Sequence, residues 1–364
     1  MKIRIERKEL SRHISIVQKA ISSRTTMQIL EGILIIAKDN LLTLIASDTE
    51  ISIKTTLPAI ISDEGKIVVN SRLFGDIIRK LQGDIIDFEI NQTNMNIKCL
   101  KSEFNIQCQV PDEFPDLPRV DENLTIKLKS SDFKEAIRKT SFAVSFDETR
   151  VAFTGVLMDI KNKKINFVAL DGFRMALKSL DTECEENISA IIPARSLNEL
   201  VKIIENEEYV NLTIGRNSLK FDLDKTIFYT TLLSGEFFKY EGLIKNDQSI
   251  IVEVLKHDLQ SSLERATLLA KEDKANLVKL DMKDSEIEIT SNSEIGNVEE
   301  SVDAKISGEN LKIAFNSKYL LEGVRIIESE KVTLNFTDSI NPCIIREEDD
   351  KDYIYLVLPV RLAN

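Results

Sequence analysis

The sequence contains no tryptophan, and aromatic residues make up only 6% of its 364 positions. A surface that stacks successive single-stranded bases on a series of rings is therefore disfavoured. Histidine is equally scarce: His13 and His257 are the only two, far apart and without a nearby cysteine, which argues against a zinc site. The four cysteines, Cys99, Cys108, Cys184 and Cys343, form no CxxC pair, and each sits in or beside an apolar or strand-like stretch. That is the pattern of buried free thiols rather than of disulfides or metal ligands. No apolar run approaches the roughly 18 residues of a membrane span. The charged start, Met1, Lys2, Ile3 and Arg4, lacks the apolar stretch of a signal peptide. The expectation is a cytoplasmic protein with no membrane partner. There is also no GxxxxGK[ST] phosphate loop, no nucleophile paired with a base and no metal cluster, so neither a cofactor nor a catalytic site is expected.

What is present begins with charge and size. With 43% hydrophobic residues, the chain is long enough for two or three domains, each with its own core. Its 48 basic residues against 60 acidic ones leave a net charge of -12, which excludes adhesion to nucleic acid by bulk electrostatics; any such contact must be local.

The same order of elements recurs three times. An alternating strand with Ile3 and Ile5 leads into a helix with Leu10, Ile14, Val17 and Ile21 on one face. Ile126 and Leu128 lead into Phe133, Ile137, Thr140 and Val144; Val252 and Val254 lead into Leu259, Leu263, Ala266 and Ala270. Leu10 and Phe133 are 123 residues apart, Phe133 and Leu259 126. A second helix follows a short apolar strand in each unit, from Ile67, Ile191 and Ile313, with Ser71, Ser196 and Asn316 as N-cap candidates. Gly32 matches Gly155 among aligned strand pairs, and Asp48 matches Asp171, the two aspartates as turn residues; Glu113 and Phe114 match Glu236 and Phe237, which are expected to mark closing strands. These registers predict three similar α+β domains, 1–122, 123–246 and 247–364, joined by short linkers.

The second helices carry the most informative charges: Arg72 and Arg79, Arg195 and Lys202, Lys318 and Arg325. Seven residues return a helix to within about 20° of one direction, so each pair shares a face, and the face is kept through three repeats. A solvated surface explains any single pair but not three in one register. Arg12, Lys19, Lys134, Arg138, Lys139, Arg265 and Lys271 on the first helices do not align, and there a solvated face competes. A row of cations without base-reading groups suits sequence-blind contact with duplex phosphates.

Over essentially its whole length the sequence resembles the β subunit of bacterial DNA polymerase III, the sliding clamp. The resemblance rests on MKIRIERKEL, on Arg24 in SSRTTMQIL, on ALDGFRMAL from Ala169, on AFNSKYLL from Ala314 and on LVLPVRLAN at the end. It implies a DNA clamp fold whose helices line a central bore, with antiparallel sheets outside and a ring closed by head-to-tail homodimerisation. It implies a peptide pocket built from Phe153, Leu170, Gly172, Phe173, Arg174 and Met175 with Ile340, Pro342, Leu356, Leu358, Pro359, Val360 and Arg361. Arg174 and Arg361 would meet polar or acidic peptide termini. By pattern alone, LVLPVRL reads as an ordinary buried strand. Implied partners are duplex DNA, a second copy of the chain, the polymerase III alpha subunit, the clamp loader, and other polymerases and repair proteins carrying clamp-binding motifs. Arg24 and Arg150 are the implied DNA contacts, supported by the six second-helix cations. Phe104 against Leu268 and Leu269 is the implied dimer contact. The chain departs from the family in having Phe173 where His is common, Lys245 where Pro is common, and Val151 and Ala152 in place of loop aromatics.

Size supports two copies independently. Six helices spaced about 8 to 10 Å apart make a circle only roughly 15 to 19 Å across, whereas twelve make one of roughly 30 to 38 Å. Only the larger circle admits a duplex once about 5 Å of helix radius is removed on each side. A closed ring would hold DNA topologically, so weak phosphate contact would favour sliding, and opening would need an ATP-driven partner. The competing reading is a repeat-built α/β transferase of the enolpyruvyl transferase type, in which Asp48 and Asp171 would have to serve as acid and base.

Overall fold

The computed structural model describes residues 1–22, 25–120, 124–244, 247–272 and 276–361. Arg24 and Lys245 lie outside the described residues, as do Glu122, Asn123 and Asn246 at the expected domain boundaries. The first repeat runs β1 (Lys2–Glu6), α1 (Arg7–Val17), β2 (Gly32–Lys38), β3 (Leu41–Ser47), β4 (Ile51–Pro58), β5 (Ile60–Asp63), β6 (Gly65–Asn70), α2 (Ser71–Lys80), β7 (Ile85–Asn91), β8 (Asn94–Cys99) and β9 (Ser102–Gln107). The second runs β10 (Thr125–Lys129), α3 (Ser130–Thr140), β11 (Gly155–Lys161), β12 (Lys164–Leu170), β13 (Arg174–Asp181), β14 (Ile188–Pro193), α4 (Ala194–Ile203), β15 (Tyr209–Ile214), β16 (Ser218–Leu223) and β17 (Thr226–Thr231). The third runs β18 (Ile250–Leu255), α5 (Lys256–Ala270), β19 (Leu277–Lys283), β20 (Glu286–Ser293), β21 (Gly296–Ser307), β22 (Leu311–Asn316), α6 (Ser317–Ile326), β23 (Lys331–Phe336), β24 (Cys343–Glu347) and β25 (Tyr353–Val357). Strand, helix, four or five strands, helix and three strands therefore recur three times.

The chain divides into two compact units, and they cut across the repeats. Unit 1 comprises Met1–Phe133 and Arg195–Leu232; unit 2 comprises Lys134–Ala194 and Leu233–Asn364. The reason is the antiparallel sheets, which run from one repeat into the next. In unit 1 an eight-stranded sheet has the order β10-β15-β16-β17-β4-β3-β2-β6, beside a five-stranded sheet β5-β1-β7-β8-β9. In unit 2 a twelve-stranded sheet has the order β14-β11-β12-β13-β25-β24-β23-β18-β21-β20-β19-β22. The repeat junctions are β4 against β17, with Thr55 opposite Thr226, and β13 against β25, with Met175 opposite Leu356.

Alternation decides which side of each strand is buried. Ile3 and Ile5 of β1 face inward while Lys2, Arg4 and Glu6 face out, and Arg4 meets Asp87 of β7 through two hydrogen bonds of 2.8 and 3.0 Å. Leu10, Ile14 and Val17 of α1 are fully buried, as are Leu259, Leu263, Ala266 and Ala270 of α5. Each buried Leu, Ile or Val contributes about 1.5–3 kcal/mol relative to exposure. The helix of the second repeat stops at Thr140, so Val144 is buried from the following segment instead.

Two local expectations are corrected, and a third holds to within one residue: Asn70, next to Ser71, caps α2 by accepting a hydrogen bond from the Leu73 amide (3.0 Å). Ser196 lies inside α4, where its hydroxyl accepts from Thr230 (2.8 Å), whereas Asn316 caps α6 as expected. The segments around Phe114 and Phe237 are not strands. Pro111–Glu113 is a single 3-10 turn, with Pro115 and Pro118 removing further amide donors. Gly235 turns the second segment at φ 130°, a conformation open chiefly to glycine. All four cysteines are free; three are buried and Cys184 is partly exposed. Among the described residues, no helix is long and apolar enough to cross a membrane.

Candidate functional site

In unit 2 the turn between β12 and β13 is held by one side chain. Asp171 Oδ1 accepts hydrogen bonds from the amides of Phe173 (2.9 Å) and Arg174 (3.1 Å), and Gly172 takes φ 93°. Asp48 does the same between β3 and β4, accepting from Glu50 (3.1 Å) and Ile51 (2.8 Å). The two aspartates are repeat-equivalent turn residues. Beside the Asp171 turn, the strand pairing of β25 ends at Val357, and the chain continues along it. The Leu358 amide donates to the Phe173 carbonyl and the Val360 amide to the Ala314 carbonyl, both at 2.8 Å. The end of LVLPVRL is therefore not a buried strand: Leu358 is 39% exposed, Pro359 and Val360 are half-buried, and Arg361 is exposed.

These elements gather most of the expected pocket residues. Leu170, Met175 and Leu356 are buried in one apolar cluster with Leu157, Leu177 and Ile344, and Phe153 packs on it half-buried. Phe173 and Ile340 stand out at 59% and 65% exposure, and Pro342 precedes β24, whose Cys343 lies opposite Val357. The structure adds Leu233, Phe237, Leu243 and Ile244, half-buried on the same cluster, and Tyr240 within it. Phe153 and Phe237 meet edge to face at 5.8 Å. The signal for this wall was present in the sequence as apolar residues at 233, 237, 240 and 244, a helix-like spacing that the closing-strand reading obscured.

Arg174 has a different position from the one expected. Its side chain is only 2% exposed and is consumed inside the protein. Nε donates to Asp171 Oδ2 (3.0 Å), Nη2 to the Phe142 carbonyl (3.0 Å) and Nη1 to Glu322 of α6, while the guanidinium lies 4.6 Å from the Tyr319 ring centroid. Burial disfavours its charge, but Tyr355 and Glu322 more than compensate and hold its pKa above the ordinary arginine value. It is thus a support beneath Phe173, which stacks on Tyr319 at 6.0 Å. Arg361, next along the chain after Val360, is exposed.

The six second-helix cations are all exposed. Arg79 pairs with Asp76 (2.7 Å), Lys202 with Glu199 (2.7 Å), Arg325 with Glu264 of α5 (2.9 Å) and Arg195 with Asp48 (2.6 Å). Lys318 lies 4.0 Å from Glu322, and Arg72 alone has no carboxylate within ion-pair distance among the described residues. Arg150 is exposed in the 3-10 stretch Glu148–Thr154, at φ -115° and ψ 69°. With Val151, Phe153 and Glu236 it lines a cavity of about 510 Å³, so it borders the apolar cleft. Ala152 is half-buried, but Phe146 in the same loop is 84% exposed, an aromatic that the expected positions missed. Of the remaining candidates, Phe104 lies on the edge strand β9 at 39% exposure; Leu268 (59% exposed) and the half-buried Leu269 lie on α5.

Profiles of the DNA polymerase III beta subunit match nearly the entire chain: the N-terminal domain at residues 1–118, the central domain at 127–239 and the C-terminal domain at 242–361. The chain belongs to the DNA polymerase III beta subunit family. The beta sliding clamp of Bacillus subtilis is 36% identical to it over 376 residues, covering 99% of this chain and 100% of the relative. The crystal structure of the Bacillus subtilis sliding clamp superposes with a TM-score of 0.95 at 34% identity, covering 100% of both chains. That of the Streptococcus pneumoniae beta chain gives 0.96 at 29% identity, covering 99% of this chain and 100% of the other. The family fold of three clamp domains built from helices and antiparallel sheets is therefore the fold of this chain. The enolpyruvyl transferase alternative gains no support from these likenesses.

Proposed function

We propose that this member of the beta subunit family acts as a DNA sliding clamp: a homodimeric ring that encircles duplex DNA and tethers other proteins to it without catalysing a reaction. The observation that carries the ring is an unfinished symmetry. The fourth strand of repeat one pairs with the last strand of repeat two, β4 with β17, and likewise the fourth strand of repeat two, β13, pairs with β25. The third such pair would be β21 with β9. Yet β9 is an edge strand bonded only to β8, and β21 from Gly296 to Asp303 is paired on one side only, to β20, among the described residues. Two open edges of matching type, with Phe104 on one and Leu268 and Leu269 near the other, suit a head-to-tail junction with a second copy. Three domains per chain, with boundaries near 122/123 and 246/247, would then give six around the ring.

In this reading Arg24, Arg72, Arg79, Arg150, Arg195, Lys202, Lys318 and Arg325 face the duplex. The cleft from Phe153 to Arg361 takes an extended peptide with apolar anchors, supplied by the polymerase III alpha subunit, the clamp loader and other polymerases and repair proteins, in the cytoplasm. Arg361 meets the acidic end of the peptide, while Arg174 holds the floor. Retention tests the function. With a clamp loader and ATP, the protein should remain on nicked circular plasmid and run off the same plasmid once linearised; equal retention on both would rule out a topological link.

A further inference from the structure

Most of the second-helix cations assigned to the duplex are already occupied. Five of the six second-helix cations have a carboxylate within 4.0 Å, from their own helix for Arg79, Lys202 and Lys318 and from a neighbouring element for Arg195 and Arg325. Three of these pairs share a pattern. Arg79, Lys202 and Arg325 are the second members of the three repeat-related pairs, and each is held at 2.7–2.9 Å by Asp76, Glu199 or Glu264. The partner comes from i-3 on the same helix in the first two cases, where Asp76 and Glu199 are themselves repeat-equivalent at 123 residues apart, and from α5 in the third, so the arrangement recurs in the third repeat with an acid from a different element. All three cations stay between 43% and 55% exposed, open to a competing anion. Exposed ion pairs of this kind are weak, and a phosphate can displace the carboxylate without leaving a buried charge behind. The hydrogen bond from Arg79 holds the Asp76 carboxyl below its ordinary pKa, and those from Gln260 and Arg325 do the same for Glu264, so both partners remain ionised at neutral pH.

We infer that Asp76, Glu199 and Glu264 are positioning residues that compete with DNA phosphates for Arg79, Lys202 and Arg325. The inference rests on the sliding-clamp reading and adds to it a device that keeps the duplex loosely held. Each cation exchanges between its own carboxylate and a passing phosphate, so no contact is made at full strength and none must be broken outright as the ring moves. Affinity follows the number of counterions released from DNA, and an already neutralised cation releases fewer.

The test compares two triple variants of the full chain with the parent protein, using fluorescence anisotropy on a short linear duplex over a series of salt concentrations. The first, Asp76→Asn, Glu199→Gln and Glu264→Gln, frees the cations at almost constant shape. It should bind at least about tenfold more tightly, with the salt slope steeper by about 0.9 for each phosphate newly engaged. The second, Arg79→Gln, Lys202→Gln and Arg325→Gln, should bind more weakly with a shallower slope. Circular dichroism and sedimentation establish that both variants fold and assemble as the parent does. If cation removal weakens binding but carboxylate removal leaves affinity and slope unchanged or reduced, the competition is refuted and the clamp reading stands. If cation removal changes nothing, these helices do not meet DNA, and the inference falls with that part of the reading.

Discussion

Lys139 and His13 both sit where one repeat meets the next, and they solve the problem of a buried polar group in opposite ways. Lys139 in α3 is 2% exposed and meets Glu347 (2.5 Å), Asp350 (2.7 Å) and Glu135 (2.9 Å), with Lys178 of β13 also on Asp350. Removing one member of such a buried group leaves uncompensated charge, so Lys139→Ala should destabilise unit 2 by about 3–5 kcal/mol in chemical denaturation. An unchanged midpoint would show that water reaches the cluster. His13 in α1 is kept neutral: its Nδ1 lies 2.6 Å from Thr55 Oγ1, which in turn lies 2.8 Å from Thr226 Oγ1 across the β4–β17 junction. Burial pushes its pKa below the ordinary value of 6.5, Glu9 opposing and Arg12 and Lys225 assisting. A depressed pKa means that the unfolded chain takes up the proton first. The stability from neutral His13 is complete above about pH 6.5 and is lost as pH falls from there towards the folded-state value. Thermal midpoints measured from pH 7.5 to 5 should fall less steeply in His13→Gln than in the parent; parallel curves would disprove the assignment. The sequence showed that Asp48 and Asp171 are turn residues, because their function is local. It did not show that Lys139 and Arg174 are buried, because helix position and motif give no access to carboxylates 148 to 211 residues away.

At the scale of elements, the repeats were legible because each strand and helix is stabilised by its own period of buried residues, and period survives in sequence. The closing strands were misread for the converse reason: prolines and a positive-φ glycine override an apolar pattern that would otherwise pair. The join between α6 and β25 shows how packing can reverse a propensity. Glycine inside a helix normally costs about 1 kcal/mol relative to alanine, so Gly323→Ala would ordinarily stabilise. Here a Cβ would lie 2.2 Å from the Tyr355 ring, which is fully buried and anchored by its hydroxyl donating to the Tyr319 carbonyl (2.8 Å). The ring cannot yield without disturbing the strand beneath Phe173. The overpacking term of about 1–3 kcal/mol therefore exceeds the propensity gain, and Gly323→Ala should lower the melting temperature and weaken peptide binding together. A rise in melting temperature would show that α6 can shift away from β25.

For the whole molecule, the proposed ring has to hold together two anionic chains, each of 41.3 kDa with a net charge of -12. The open part of β21 carries Glu299, Glu300 and Asp303, and among the described residues only Glu300 has an ion-pair partner, Arg265 of α5 at 2.6 Å. The opposing edge offers little positive charge: β9 carries Ser102, Glu103, Asn105 and Gln107, and Lys98 on β8 is already paired with Glu103 (3.2 Å). The seam must therefore depend on strand pairing and on apolar contact around Phe104, Leu268 and Leu269, with electrostatics neutral or opposed. Charge placed at Phe104 separates these terms. Phe104→Asp and Phe104→Lys lose the same ring, but aspartate adds to the acidic seam whereas lysine relieves it. Sedimentation equilibrium should show Phe104→Asp dissociating to single chains, with a Kd at least about tenfold above that of Phe104→Lys, equivalent to about 1.4 kcal/mol. Because the Debye length shrinks to about 3 Å in 1 M salt, the gap between the two variants should close there while the loss common to both persists. Equal dissociation at low salt would mean that Phe104 does not face the acidic edge of β21, and the proposed seam would have to be redrawn.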